Sequence, residues 1–386
     1  MSVFEELLKK HCPDGVEYKT LEDVCIIYTG EQLNRKNMIK EGYPVINGGI
    51  QASGYTNNFN EYEETITISQ GGASAGFVNF MLEKFWAGAH CYIIKPNTDK
   101  LINKYLFFVL KNIEIHIMEL KNGAGIPGIN KNKITKIKIP LPPIEVQKEI
   151  VRILDIFTKY QDLLNRELEL RKKQYEYYRD KLLTFTEGTQ SCGDEVEWKY
   201  LGEIGRVAMC KRVMKAETEK EGDIPFYKIG TFGKKADAFI SRELFEEYRN
   251  KYSFPKKGDI LISASGTIGR TVIYDGEPAY YQDSNIVWLE HDESIILNKY
   301  LFYCYQLKPW NITSGGTIQR LYNDNIRNAK IPVPPLEEQE RIVKILDQFD
   351  TLCNDITRGL PAEIELRKKQ YEYYRDKLLT FKEKKV

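Results

Sequence analysis

The chain has 386 residues, enough for two or three domains with ample core. Its 56 lysines and arginines against 55 acids leave a net charge of +1, which excludes a globally basic nucleic-acid binder, so any phosphate-facing patch must be local. Seven cysteines and four histidines form neither a disulfide framework nor a zinc pattern, the first residues lack a basic start followed by an apolar core, and no run of about 18 apolar residues exists; the reading is a cytosolic protein with no membrane contact, metal or cofactor.

In chain order, residues 1–14 are expected to form a short amphipathic helix. Val16-Glu-Tyr-Lys-Thr-Leu-Glu-Asp-Val then matches Val196-Glu-Trp-Lys-Tyr-Leu-Gly-Glu-Ile, which puts the start of a second unit near Glu195, after a glycine-containing linker at 186–194. Each unit carries short β-type runs separated by glycine and asparagine. They are Tyr43-Pro-Val-Ile, Thr65-Ile-Thr-Ile-Ser and Cys91-Tyr-Ile-Ile in the first, and Ile224-Pro-Phe-Tyr, Asp259-Ile-Leu-Ile-Ser and Asn285-Ile-Val-Trp-Leu in the second. Asn103-Lys-Tyr-Leu-Phe-Phe and Asn298-Lys-Tyr-Leu-Phe-Tyr each open a helix.

The strongest repeat follows. Ile139-Pro-Leu-Pro-Pro-Ile-Glu returns 192 residues later, from 139 to 331, as Ile331-Pro-Val-Pro-Pro-Leu-Glu, and residues 169–185 return unchanged at 365–381. A match this long means two copies of one unit. Each Pro-Pro ends an extended segment, and a long apolar period begins beyond it. In the first copy the heptad seam is Ile150, Leu154, Phe157, Leu164, Leu168, Tyr175, Tyr178 and Leu182, with Gln161 and Arg171 filling two positions. A helix over 144–185 would be on the order of 60 Å long at 1.5 Å per residue. The second seam is Ile342, Leu346, Phe349, Cys353, Ile356, Tyr371, Tyr374 and Leu378. Within it the offset grows to 196, from 169 to 365, because four residues near 359–362 are inserted, and Gly359 and Pro361 predict a kink, or a short break with Pro361 in the first turn of a new segment. Tyr177 and Tyr373 fall off the seam and are expected to be exposed.

The globular parts match only at landmarks, while the helical parts match almost residue for residue. This pattern resembles the specificity subunit of type I restriction-modification systems over nearly the whole chain. The resemblance rests on the repeated Pro-Leu-Pro-Pro and Pro-Val-Pro-Pro turns, on Glu145, Gln147 and Ile150 matched by Glu337, Gln339 and Ile342, and on the Leu-Arg-Lys-Lys-Gln segments. The fold class expected is α+β: two similar globular α/β target-recognition domains, 1–143 and 187–335, each followed by a spacer helix, 144–186 and 336–386, in a pseudo-twofold internal repeat. The resemblance implies that the two helices pack as an antiparallel coiled coil. It further implies that each domain reads half of a split site in double-stranded DNA, that helix length sets the gap, and that two modification subunits carrying the methyl-transfer chemistry dock on the helices. Restriction subunits complete the complex. The inserted four residues make the helices unequal and leave the spacing open.

Candidate DNA contacts begin with glycine-rich loops after a strand. Ser69, Gln70, Gly71, Gly72 and Ser74 form one, and Ser263, Ser265, Thr267 and Arg270 sit in the same place in the second unit. Small residues let backbone approach a phosphate or base edge, Gln70 suits an adenine and Arg270 a guanine. A tight hairpin connection explains the glycines equally well. Lys121, Lys131, Lys133, Lys136 and Lys138 form an acid-free run, set against Arg320, Asn323, Asn325 and Arg327; phosphate contact or a solvated loop face accounts for it. Arg35-Lys36 and Lys211-Arg212 fall early in each domain.

Catalytic readings find little support. The Asn-Pro-Pro-Tyr type loop of an amino-methyltransferase is absent. Glu17-Tyr-Lys19 and Glu197-Trp-Lys199 lack the separated acid of a metal-dependent nuclease, and Gly230-Thr-Phe-Gly-Lys-Lys lacks the spacing of a phosphate loop. His90 and His116 stand alone. The expectation is a non-catalytic DNA-recognition and scaffold subunit; the alternative is a non-enzymatic protein-interaction scaffold with two globular arms on a coiled coil.

Overall fold

The glycine-punctuated β runs become sheets of the same strand order in both halves of the chain. A computed structural model describes residues 3–123, 127–185, 196–311 and 319–384, and the linker expected at 186–194 and the unit start at Glu195 lie outside these residues. The chain divides into two compact units: residues up to Asn165 together with those from Glu363 onward, and residues 166–362.

In the first unit, Cys25–Thr29, Cys91–Pro96, Thr65–Ser69 and Val78–Met81 form an antiparallel four-stranded sheet in that order. Tyr55–Thr56, Tyr43–Ile46 and Trp86–Ala87 form a three-stranded sheet, and Tyr18–Thr20 pairs with Lys138–Pro140. The second unit repeats this. Gly205–Ala208, Ile286–His291, Ile260–Ser263 and Thr271–Ile273 make the four-stranded sheet, Phe239–Ile240, Ile224–Tyr227 and Tyr280–Tyr281 the three-stranded one, and Glu197–Tyr200 pairs with Lys330–Val333. Strand Thr65–Ser69 is buried throughout, as is Ile260–Ser263, because each lies inside its sheet with a helix, Asn103–Asn112 or Asn298–Gln306, contributing to its core.

The Pro-Pro turns launch the long helices. The first, Ile144–Leu183, is continuous. The second is broken into Leu336–Asn354 and Leu360–Leu379, with Pro361 in the first turn of the latter. The break has a local cause: the Asp355 carboxylate accepts the backbone N–H groups of Thr357 at 2.7 Å and Arg358 at 3.1 Å, turning the chain out of the helix. Gly359 then passes so close that a Cβ there would meet the Thr351 carbonyl oxygen at 2.3 Å.

Each unit contains an antiparallel helix pair made from the start of one long helix and the end of the other. In the first unit Phe157 meets Tyr371 and Tyr374, while Tyr160, one turn on, reaches back to Glu363. In the second, Tyr178 stacks on Phe349 at 5.6 Å and Tyr175 lies 6.3 Å from the same ring. Ile150, Leu154, Leu164, Tyr175, Ile342, Leu346 and Leu378 are buried, and Phe157, Leu168, Phe349 and Tyr371 are half-buried. Tyr178 and Tyr374 stack by one face and expose the other side. Ile356 is a correction to the seam: it lies in the break between the helices and is 79% exposed, because leaving the helix takes it off the apolar stripe. Leu182 is half-buried, and at the helix end Leu183 is the buried neighbour.

What ties each globular part to its helix is one glutamine. Gln147 is fully buried; its Oε1 accepts the Ile102 N–H at 2.8 Å, and its Nε2 donates to the Lys100 and Pro142 carbonyls at 2.7 Å each. Gln339 repeats this with the Leu297 N–H at 2.9 Å and the carbonyls of Ile295 at 3.0 Å and Pro334 at 2.8 Å. Tyr105 and Tyr300 donate to the Pro140 and Pro332 carbonyls at 3.1 Å, and Lys104–Asp155 and Lys299–Asp347 pair at 2.8 and 2.9 Å.

Two predictions follow from this packing. Gln147→Leu leaves the Pro142 carbonyl without its partner in a buried place and the Ile102 N–H and Lys100 carbonyl without theirs in part-buried ones, and should lower stability in urea unfolding by about 1–3 kcal/mol, the cost of one buried unsatisfied group. Leu346→Ala should cost about 2–5 kcal/mol, whereas Ile356→Ser should stay within about 0.5 kcal/mol; equal costs would contradict the exposure of Ile356.

Candidate nucleic-acid interface

In the first unit, the helix-bearing side of the four-stranded sheet lies at the start of strand Thr65–Ser69, where the Asn103 side chain donates to the Glu64 carbonyl. The glycine-rich loop leaves the opposite end of that strand. Ser69 is buried and donates to the Gly48 carbonyl, while its own carbonyl accepts the Gly76 N–H at 2.8 Å. Gln70 is held by its backbone, which donates to the His90 carbonyl at 2.9 Å and accepts from Ile129 at 2.8 Å. The neighbouring Tyr92 hydroxyl donates to the Ile129 carbonyl at 2.9 Å, and burial pushes that phenol upward. Gly71 bridges to Gly128, and Gly72 donates to the Pro127 carbonyl at 2.8 Å with φ +77, a conformation that favours glycine, in open space. Ser74 accepts the Phe77 N–H at 2.9 Å, closing the turn.

The lysines divide. Lys121 Nζ donates to the Ala73 carbonyl at 3.1 Å, which fixes a cation on the glycine loop, and Lys133 Nζ donates to the Leu120 carbonyl at 3.0 Å. Lys131 opens the short helix Lys131–Thr135 two residues after Ile129 has bonded to Gln70, and is exposed there. Lys136 is exposed at the other end of that helix, where Ile137 turns to receive Leu21, and Lys138 is exposed on its strand.

The second unit builds the same loop with different fastenings. Ser263 Oγ donates to the Thr267 carbonyl at 2.5 Å and accepts the Arg270 N–H at 2.9 Å. Ser265 donates to Asn285 Oδ1 at 2.8 Å. The Arg270 guanidinium donates to the Phe232 carbonyl at 2.9 Å and to Thr267 Oγ1 at 3.3 Å. Arg320 donates to the carbonyl of Ser284, a non-glycine residue at φ +54, at 2.6 Å, and Arg212 pairs with Asp283 at 2.8 Å. Lys211 lies over the Tyr252 ring at 5.1 Å, and its carbonyl accepts the Tyr280 hydroxyl at 3.0 Å. Three arginines thus converge on one loop cluster. Asn323 and Arg327 lie on the adjoining helix Asn323–Arg327, and Arg327, paired with Asp324 at 3.6 Å, lies beside Gly202, a neighbour away from the cluster.

Arg35-Lys36 and Lys211-Arg212 are not structural counterparts. The 3-10 turn Arg35–Asn37 corresponds to Lys215–Glu217, because both follow the first sheet strand at the same remove. Sequence reasoning also missed the hairpin loop 47–52, which is clamped to the glycine loop through Gly48 and to His90 through the Asn47 side chain at 3.3 Å. Its Asn-Gly-Gly start was the available signal. Residues 282–285 and the Phe232 loop, partners of the three arginines, carried none. Among the described residues no group of His, Cys, Asp or Glu could hold a metal ion, and no helix is long and apolar enough to cross a membrane.

Each unit thus carries a loop cluster at a sheet end, built of glycine, serine, amide and lysine groups in the first and of glycine, serine and guanidinium groups in the second. A Haemophilus influenzae protein that carries the name type I restriction enzyme specificity subunit is 48% identical over 379 residues, covering 95% of this chain and 96% of that protein. The Escherichia coli type I restriction enzyme EcoR124I/EcoR124II specificity subunit is 36% identical over 302 residues, 73% of this chain and 72% of its own length. The crystal structure of the Mycoplasma genitalium S subunit of a type I restriction-modification system shares the fold with a TM-score of 0.61 at 21% identity, covering 95% of this chain and 96% of that one. Residues 13–171 and 193–366 each match the family described as type I restriction modification DNA specificity domain, and the chain belongs to the family of type I restriction-modification specificity subunits.

Proposed function

We propose that this chain is the DNA-recognition subunit of a type I restriction-modification enzyme, in which each unit reads one half of a bipartite site in double-stranded DNA. The observation that carries the proposal is the duplicated tip. At the same end of the same central strand, each unit holds a buried serine, a glycine-rich turn and basic side chains fastened to loop carbonyls. Such fastening positions cations for phosphate oxygens, while the loop side chains are left to read base edges. The candidates are Ser69, Gln70, Gly71, Gly72, Ser74, Lys121, Lys131, Lys133 and Lys136 in the first unit. In the second they are Lys211, Arg212, Ser263, Ser265, Thr267, Arg270 and Arg320, with Asn323 and Arg327 outside the central cluster.

The helix pairs then serve as spacer and as the docking scaffold for two modification subunits, which supply the methyl-transfer chemistry, and restriction subunits complete the assembly. The chain itself is read as non-catalytic, with 1–143 and 187–335 as target-recognition domains and 144–186 and 336–386 as spacer helices. A protein-interaction scaffold without DNA has less support, since a protein-only arm gives no reason for three arginines to be fixed around one glycine loop.

The direct test is co-expression with the modification subunit of the same organism and mapping of methylated adenines in host DNA, with the chain omitted as control. A two-part motif dependent on the chain is expected. Gln70→Ala should relax one base position of one half-site only, at about 1–3 kcal/mol of discrimination. Lys131→Ala should weaken binding evenly across sequences and reduce the slope of log K against log salt by about 1. Binding indifferent to salt between about 50 and 200 mM would favour protein partners instead.

A further inference from the structure

The three-stranded sheet of the second unit walls a pocket of about 270 Å³ that no candidate DNA contact lines. Pro225, Tyr227, Phe232, Val272 and Tyr281 make its apolar walls, and the Tyr227 and Tyr281 rings lie nearly parallel, 5.7 Å apart at 19°. Lys234, Asp275 and Glu277 also line it and are exposed, so its charged groups stand at the mouth. Among the described residues none of these three is ion-paired.

Internal hydrogen bonds fix both walls. Loop 228–238 is pinned where the Phe232 carbonyl accepts the Arg270 guanidinium and the Ile229 N–H donates to Gln282 Oε1 at 3.1 Å. The facing turn is closed by the Glu277 N–H, which donates to Asp275 Oδ1 at 3.0 Å, and by the Tyr274 hydroxyl, which donates to the Glu277 carbonyl at 2.8 Å. A cavity held this way accepts a ring with little ordering of its own. Gly233 stands between the pocket and the arginine cluster: at φ +70, a Cβ there would lie 3.2 Å from Val272 Cγ2 and 3.9 Å from Arg270 Cδ. The first unit does not repeat these walls. Pro44 and Pro225 hold the same place in the paired strands, so Tyr227 and Tyr281 are answered by Ile46 and Ala87, and loop 228–238 by the shorter 47–54.

We propose that this pocket binds a single nucleobase bearing an exocyclic amino group, with the ring against the tyrosine wall and the base edge held at the mouth by Asp275, Glu277 and Lys234. Its volume, just under the range of about 300–1,000 Å³ for small-molecule pockets, suits one heterocycle rather than a larger ligand. Stacking on an aromatic face tolerates any base, so the edge makes the choice: carboxylates accept from an amino group, and an ammonium donates to a ring nitrogen or carbonyl. An aliphatic occupant would leave those groups unused, and a cationic one would meet Lys234. The same ring chemistry comes either from an unstacked base of DNA, delivered past Gly233 from the arginine cluster, or from a free nucleotide. The first source rests on the specificity-subunit reading above; the second does not.

The test uses the full chain, titrated calorimetrically with AMP, GMP, CMP and UMP, with inorganic phosphate as the control for simple charge. A saturable site should appear that prefers an amino-bearing base to UMP by about tenfold, the worth of one hydrogen bond to a charged group. Tyr227→Ile, which installs the first unit's residue, should weaken binding by about tenfold or more, and Tyr227→Phe should keep it. Asp275→Asn with Glu277→Gln, both at exposed positions, should erase the preference over UMP, and unchanged thermal unfolding of each variant excludes misfolding. The sources separate with a duplex carrying the chain-dependent methylated motif. Weaker duplex binding by Tyr227→Ile assigns the pocket to an extrahelical base; nucleotide and duplex bound together, with duplex affinity unchanged, assign it to a free nucleotide. Nucleotide binding indifferent to Tyr227→Ile, or none at all joined to equal duplex affinity of wild type and Tyr227→Ile, would overturn the inference, and a two-part motif still methylated would leave the specificity-subunit reading standing. Nucleotide binding by a chain that directs no methylation would keep the pocket and overturn that reading.

Discussion

The structure depends on a buried amide. Gln147 and Gln339 each satisfy one N–H and two carbonyls at the junction of the Pro-Pro turn, the loop before the domain helix and the first turn of a long helix. A helix start leaves donors without intrahelical partners and a proline turn leaves carbonyls without them, so this junction would carry unpaired polar groups without the glutamine. Because the same amide recurs in both units, with the same tyrosine and the same lysine–aspartate pair beside it, each domain is held on its helix by the same contacts. A recognition subunit needs this, since the loops proposed to read DNA are useful only if their position is fixed with respect to the helix.

The tip lies at the other end of the sheet from that junction, and there the constraint is relaxed. The loops share backbone logic, a buried serine at the strand end and a glycine turn, but differ in nearly every side chain that could meet a base. The first unit uses lysines and an amide. The second uses three guanidiniums, each committed to a loop carbonyl, hydroxyl or carboxylate. Arginine held in a fixed orientation loses less entropy on binding than a free lysine, and its planar fork discriminates better among acceptors. Two tips built differently on one frame fit a protein that reads two different half-sites.

The net charge of +1 is consistent with this economy. Cations are concentrated by placement rather than by composition, and many other lysines and arginines are paired along helices, as in Arg152–Glu149 and Arg341–Glu338. Exposed pairs of this kind contribute little to stability.

The sequence by itself determined the repeat, the strand runs, the helix starts and most of the seam, because these depend on local pattern: period two for strands, three and four for helices, proline before a helix. It also located the glycine loops, since glycine and serine after a β run have few other uses. Only the tertiary structure decided that Ile356 leaves the seam, because Asp355 captures two backbone N–H groups where the insertion falls. It alone brought Arg212, Arg270 and Arg320, each at least 50 residues from the next, to one cluster, while leaving Arg327 beside Gly202. Such convergence is set by which strands pair and which loops meet at a sheet end, and no local pattern in a single chain encodes it.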